Sequence, residues 1–122
     1  MVSDATPRRR ALIVEDEMLV SMLLEDLLAE LAFEPVGPFA RLDEALAAAR
    51  ERDFEFAVLD VNLNGKETYS VADILIERGI PFVFATGYGK SGLPPRYRQC
   101  NVLSKPFRRD DLARIVAETG KA

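Results

Sequence analysis

The sequence of 122 residues contains no histidine. That absence excludes Ser-His and Cys-His catalysis, histidine ligation of zinc, and any role as a phosphohistidine donor. It contains one cysteine, Cys100. An internal disulfide and a cysteine metal centre are therefore excluded, and a reducing cytoplasm is the expected location. No apolar run approaches the roughly 18 residues that a membrane helix needs. The opening "MVSDATPRRR" lacks the apolar core of a secretory signal. A large basic surplus is missing too: the net charge is −4. Duplex binding usually needs a basic face, so neither nucleic acid nor a membrane is the expected partner.

What is present suits one compact α/β domain. Residues 1–10 are expected to form a flexible arm. Its run Arg8-Arg9-Arg10 reads as solvated, with a docking patch as the alternative. "ALIVE" (11–15) is an apolar run ending in acids, as expected of a strand buried on both faces. Val20, Leu23, Leu24, Leu27, Leu28 and Leu31 then recur at helical spacing from about Met18. "FEPVGPF" carries two prolines and a glycine, which allow at best a short edge strand. A second helix shows Leu42, Ala45, Leu46 and Ala49 on one face. "FEFAVLDV" is the third strand, "NLNGK" a turn, and a third helix runs from about Thr68 to Arg78, with Gly79 as its C-cap. "FVFAT" is the fourth strand and "NVLS" the fifth. A last helix buries Leu112, Ile115 and Val116.

Strand and helix thus alternate five times, which predicts a doubly wound five-stranded parallel sheet covered on both faces. The exception is residues 87–100. They carry three glycines, two consecutive prolines and no apolar period, so the fourth helix is expected to be short, disordered or replaced by a loop.

In that loop Gly87, Gly89 and Gly92 spell G-x-G-x-x-G. The dinucleotide fingerprint needs those glycines after the first strand and opening a helix. Here they follow the fourth strand, and Pro94-Pro95 interrupt any helix soon after. A P-loop fails as well, because Phe84 stands where its leading glycine belongs.

The chemistry-bearing residues lie at the strand ends. Strand one ends in Glu15, Asp16 and Glu17, strand three in Asp60 and Asn62, strand four in Thr86, and strand five in Lys105-Pro106. In an open α/β sheet, ligands sit outside the carboxyl ends where the strand order reverses. If strands one and three are neighbours, three carboxylates converge. Carboxylates so close repel unless a cation intervenes. An oxygen-only set without His or Cys suits Mg²⁺, with Mn²⁺ as an alternative. Lys105 and Thr86 could then hold phosphate oxygens. Asp60 could serve as a covalent nucleophile. Singly, each residue has an ordinary reading: helix N-terminus for Glu15 and Asp16, turn residue for Asp60, solvated lysine for Lys105. Their joint placement at matching strand ends favours a site.

"LIVEDE", "AVLDVNL", "FVFATGY" and "LSKPF", in this order across nearly the whole chain, resemble the receiver domain of bacterial two-component response regulators. The resemblance implies a flavodoxin-like fold, with residues 11–122 as a single receiver domain. It implies Asp60 as phosphoacceptor. Asp16, the Asp60 side chain and the Asn62 carbonyl would bind Mg²⁺, with Glu15 assisting through water. Thr86 would close on the phosphoryl group, Lys105 would pair with it, and the Lys105–Pro106 bond would be cis, aiming the lysine inward. Three departures stand out. Glu15 replaces a more usual Asp. Val102 stands where many receivers have an aromatic switch residue. The fourth helix is degraded. "FATGY" before such a loop resembles the FAT-GUY subclass, often stand-alone, in which Tyr88 would become the mobile aromatic; a surface-packed tyrosine is the alternative.

The resemblance implies a single-domain regulator, not a turnover enzyme. It would accept a phosphoryl group from a sensor histidine kinase or a histidine phosphotransfer protein and signal to a downstream target protein or relay. A haloacid-dehalogenase-like phosphohydrolase would need an Asp where Asn62 stands, as general acid-base. A flavodoxin would need a phosphate-cradling loop where this chain puts acids. A receiver-like module that is never phosphorylated is the remaining alternative.

Overall fold

The computed structural model describes residues 9–87 and 92–119. β1 (Arg9–Val14), β3 (Phe56–Asp60), β6 (Phe82–Thr86) and β7 (Asn101–Ser104) are joined by β2 (Phe33–Phe39) in the order β2-β1-β3-β6-β7. Three apolar runs, β1, β3 and β6, supply the middle of the sheet, and β2 and β7 are its edges. Every pairing in this sheet is parallel. Among the described residues, four α-helices cover it: α1 (Met18–Glu30), α2 (Leu42–Glu51), α3 (Tyr69–Arg78) and α4 (Arg109–Thr119).

Side chains alternate across the strands, so continuous apolar runs feed two cores. Leu12, Val14, Ala57, Leu59, Phe82 and Phe84 pack with α2 and α3. Ala11, Ile13, Phe56, Val58, Val83 and Ala85 pack with α1 and α4. The chain passes from β1 to β2 on one side and returns to β3 on the other. The strand order therefore reverses between β1 and β3, the topological switch point of a doubly wound sheet.

Several local expectations are corrected. β1 starts at Arg9, so Arg9 and Arg10 belong to a strand and not to the arm; both are exposed and pair with Phe33 and Glu34. β2 is seven residues long, not short. Its place at the sheet edge explains why Pro35 and Pro38 are tolerated: one side of the strand needs no partner. Gly37 sits at φ +106°, and a Cβ there would lie 2.8 Å from the Ile13 carbonyl, so only glycine fits. The "NLNGK" turn is framed by a small antiparallel ladder, β4 (Asn62–Leu63) with β5 (Lys66–Glu67).

In α1, Leu24, Leu27 and Leu28 are buried as expected. Leu23, expected inward, is exposed, and Ser21 is buried instead with its hydroxyl donating to the Met18 carbonyl at 2.9 Å. Gly79 ends α3 in the left-handed region (φ 72°), as predicted for a C-cap. Where a fourth helix was in doubt, the described residues include a turn of 3₁₀ helix, Pro95–Tyr97. Leu93 and Tyr97 fix this segment to the α2/α3 core. Tyr97 stacks on Tyr69 at 4.9 Å, meets Phe84 edge-on, and donates its hydroxyl to Asp73 Oδ1 at 2.6 Å. Burial and the Asp73 carboxylate push the Tyr97 hydroxyl up to about 12. No helix among the described residues is long and apolar enough to cross a membrane.

Candidate functional site

The site forms where β1 and β3 end side by side. Val14 and Leu59 are the last paired residues of the two strands, so Glu15 and Asp60 follow at the same level. Both are almost fully buried, at 2% and 7% exposure. Asp16 is half-buried at the mouth. One carboxylate oxygen from each of Glu15, Asp16 and Asp60 lies within 4.8 Å of the others.

Each carboxylate is oriented by a backbone N–H. Glu17 N–H donates to Glu15 Oε2 (3.1 Å), Asn62 N–H to Asp60 Oδ1 (3.2 Å) and Asn64 N–H to Asp16 Oδ2 (2.9 Å). Glu17 is the N-cap residue of α1 but makes no side-chain capping bond. The helix-start reading of Glu15 and Asp16 therefore gives way to convergence on Asp60.

Lys105 enters from the end of β7. Its N–H donates to the Thr86 carbonyl at 2.9 Å, which locks it beside β6. Its Nζ lies 3.3 Å from Asp60 Oδ2, 3.4 Å from Glu15 Oε1 and 3.8 Å from Glu17 Oε1. The Lys105–Pro106 peptide is cis, as expected; Gly37–Pro38 is also cis, which was not foreseen. Burial raises the Glu15 carboxyl to about 7, and the neighbouring Asp60 charge adds to this. Burial also raises Asp60, against the stabilising Asn62 N–H and Lys105. For Lys105, burial pulls downward, but Asp60 and Glu15 together win and hold it above its ordinary value.

Thr86 ends β6 one residue beyond Ala85, which is paired with Asp60. It is buried and paired with Ser104. Val102 lies opposite Phe84 and packs against the α2/α3 core, as an aliphatic strand residue. Tyr88 lies outside the described residues. The Asn62 side chain serves the turn: its Oδ1 accepts the Gly65 N–H at 2.7 Å, closing the β4–β5 turn.

One participant was not anticipated. Thr68, fully buried, donates its hydroxyl to the Asp60 carbonyl at 2.6 Å. The sequence signal was ambiguous, because a Thr before an apolar-periodic run reads as a helix N-cap.

Chemically, the cluster is a set of hard oxygen donors with one ammonium beside it. Buried carboxylates this close, one pushed to about 7, gain from a small divalent cation. Glu15, Asp16 and Asp60 supply three carboxylates, and the Asn62 backbone lies next to them. The donor chemistry fits Mg²⁺.

An open parallel sheet with a buried carboxylate, two acidic neighbours and a lysine at its switch point defines a flavodoxin-like domain of the receiver class. The chain belongs to the response regulator receiver domain family, whose model matches residues 11–117. It is 32% identical over 114 residues to the transcriptional regulatory protein PdtaR of Mycobacterium tuberculosis, covering 90% of this chain and 56% of that protein. The chain thus spans about half the length of the curated relatives it matches. Among solved structures it resembles SdrG from Sphingomonas melonis Fr1, with a TM-score of 0.82 and 42% identity over 92% of this chain and 96% of that one. It also resembles the response regulator PhyR from Brucella abortus, with a TM-score of 0.77 and 26% identity over 93% of this chain and 48% of that one.

Proposed function

We propose that this receiver domain accepts a phosphoryl group from a phosphohistidine donor onto Asp60 and signals through a phosphorylation-dependent change in what it binds. One observation carries the reading: Asp60 is buried at the switch point, 3.3 Å from Lys105 Nζ and grouped with Glu15 and Asp16. The donor would be a sensor histidine kinase or a histidine phosphotransfer protein in the cytoplasm. Having no histidine, the chain can be only the acceptor in such a transfer.

Glu15, Asp16, Asp60 and the Asn62 carbonyl would hold Mg²⁺ (or Mn²⁺), which neutralises charge on the incoming phosphoryl oxygens. An Asp60 oxygen attacks phosphorus, the P–N bond to the donor imidazole breaks, and the imidazole leaves with a proton. Lys105 follows the charge of the phosphoryl oxygens. Thr86 contributes its hydroxyl. Attack of water on phosphorus later releases phosphate and restores the Asp60 carboxylate. Turnover of outside phosphate esters is not expected, because the Asn62 amide cannot transfer the proton that a phosphohydrolase needs.

The donor must approach the mouth beside Asp16 and Glu17. There α1 begins, and it presents Met18, Leu19, Met22 and Leu23 to solvent. This apolar face is the surface we assign to the donor. The outlet is the surface of residues 87–100 with β7 and α4, where the sequence carries three glycines, two consecutive prolines and no apolar period. If amide exchange there is identical with and without a phosphoryl mimic, the outlet assignment is wrong.

Intact mass after treatment with acetyl phosphate and Mg²⁺ tests the core of the proposal. One phosphoryl adduct is expected, absent in Asp60→Asn. An adduct that survives the substitution would move the acceptor elsewhere.

A further inference from the structure

We infer that Thr68 is a positioning residue for Asp60, acting through the backbone on which the acceptor and the Asn62 carbonyl are carried; this rests on the role proposed for Asp60. Thr68 occupies the N-cap position of α3, where a threonine hydroxyl ordinarily accepts from the N–H groups of the first turn. It makes no such cap. Its hydroxyl points backwards and donates to the Asp60 carbonyl at 2.6 Å, with the Val61 carbonyl 3.4 Å away. Its own N–H donates to the Val61 carbonyl at 3.0 Å.

The need for this arrangement follows from the sheet. Asp60 lies one residue beyond the last pair of β1 with β3, Val14 with Leu59. The Glu15 N–H is already committed to the Phe39 carbonyl of β2 at 3.1 Å. On the other flank, the Val61 N–H still reaches the Ala85 carbonyl of β6 at 3.3 Å. The Asp60 carbonyl therefore sits where the sheet stops on one side only. A buried carbonyl there needs a donor. Thr68, with no exposed surface, brings one from eight residues downstream.

The consequence reaches the acceptor directly. Thr68 holds the two consecutive carbonyls of Asp60 and Val61. The next residue is Asn62, whose N–H sets Asp60 Oδ1 at 3.2 Å and whose carbonyl is a proposed metal ligand. Rotation of either peptide would shift both at once. The β4–β5 ladder and the Gly65 N–H bond to Asn62 fix the far side of the same turn. Thr68 fixes the near side. It touches neither donor nor metal, so its effect is geometric.

The experiment compares Thr68→Val, which keeps the shape and removes the donor, with Thr68→Ser, which keeps the donor. The full chain is phosphorylated by acetyl phosphate at saturating donor and Mg²⁺, and Asn62 amide exchange is followed separately in metal-free protein. Thr68→Val is expected to lower the rate constant by about tenfold to a hundredfold, the usual penalty for misplaced reacting groups. It should also speed Asn62 exchange. Thr68→Ser should keep most of the rate and the wild-type exchange. Equal rates for wild type and Thr68→Val, or equal losses in Val and Ser, would overturn the inference. Should Thr68→Val not fold, Thr68→Ser against Thr68→Ala decides by the same criterion: Ser alone retaining the rate supports the role, equal losses refute it. If the wild type takes no phosphoryl group, the proposed function fails, while Asn62 exchange still shows whether the Thr68 hydroxyl orders this turn.

Discussion

The chain leaves the sheet in two contrasting ways at β3 and at β6. After Asp60 it is tied down within a few residues. Asn62, Asn64, Gly65 and Thr68 each contribute a hydrogen bond to the turn or to the carboxylates, and α3 starts at Tyr69. After Thr86, the described chain packs on the core at Leu93 and Tyr97, and its regular structure there includes the 3₁₀ turn Pro95–Tyr97. The first exit is polar and short, the second aromatic and long. Under the proposed function, the difference divides labour. A phosphoacceptor and metal ligands need fixed geometry, which many small polar bonds provide. A segment whose described core contacts are Leu93 and Tyr97 can change its packing at moderate cost, as the proposed signalling surface would need to.

The largest expected effect would break the aromatic anchor. Tyr97→Ala removes a buried ring from the Tyr69–Phe84 stack and should cost about 3–5 kcal/mol, read by denaturant unfolding. Amide protection across residues 93–100 should fall, while protection around Asn62 persists. If both exits loosen together, the two are not separate units. Next comes the carboxylate cluster beside the polar exit. Lys105→Gln removes the cation that both Asp60 and Glu15 face, and phosphorylation by acetyl phosphate should slow about a hundredfold or more, as for loss of a charge-stabilising donor. Tyr97→Phe sharpens the contrast. It keeps the stack and loses the hydroxyl bond to Asp73, at about 1–3 kcal/mol, without altering the phosphorylation rate.

A pH series separates the exits further. The Glu15 carboxyl, held at about 7 mainly by burial, lies above its ordinary value of 4.5. Between those values the native protein binds more protons than the unfolded chain. Its contribution to metal-free stability is therefore present at low pH and is lost as pH rises through about 7. Mg²⁺ should bind more tightly at pH 8 than at pH 5.5, by about thirtyfold if the one Glu15 proton is released. Calorimetric titration reads this, and a flat profile would remove Glu15 from the metal set. The smallest effect concerns the donor face. Leu19→Ser with Met22→Ser should leave acetyl phosphate kinetics unchanged and slow transfer from a phosphohistidine protein by a few-fold to about tenfold, since surface changes mostly alter encounter and residence.

The contrast also explains what could be read in advance. The strands of the sheet core were legible because buried parallel strands are nearly continuous apolar runs, as in "ALIV" and "FVFA". The acids at the strand ends were legible because charges there have no structural reason to cluster. β2 was underestimated because Pro35 and Pro38 argue against a strand unless it lies at an edge, and edge position is a property of the whole sheet. Leu23 misled because Leu19 and Met22 are apolar on the outer face too, so periodicity alone could not choose the buried side. Thr68 was invisible as a site residue because a threonine before a helix has an ordinary capping role. Tyr97 was invisible because a lone tyrosine after two prolines carries no period. Its stacking on Tyr69 depends on contacts 28 residues apart.

The central claim is that Asp60 carries the phosphoryl group, and the most direct measurement locates that bond. Treating the acetyl-phosphate-labelled protein with borohydride reduces an aspartyl phosphate to homoserine, which peptide sequencing by mass spectrometry places on the chain. The account predicts homoserine at position 60 alone, dependent on Mg²⁺. Homoserine at position 16, or a labelled protein that yields none, would contradict it.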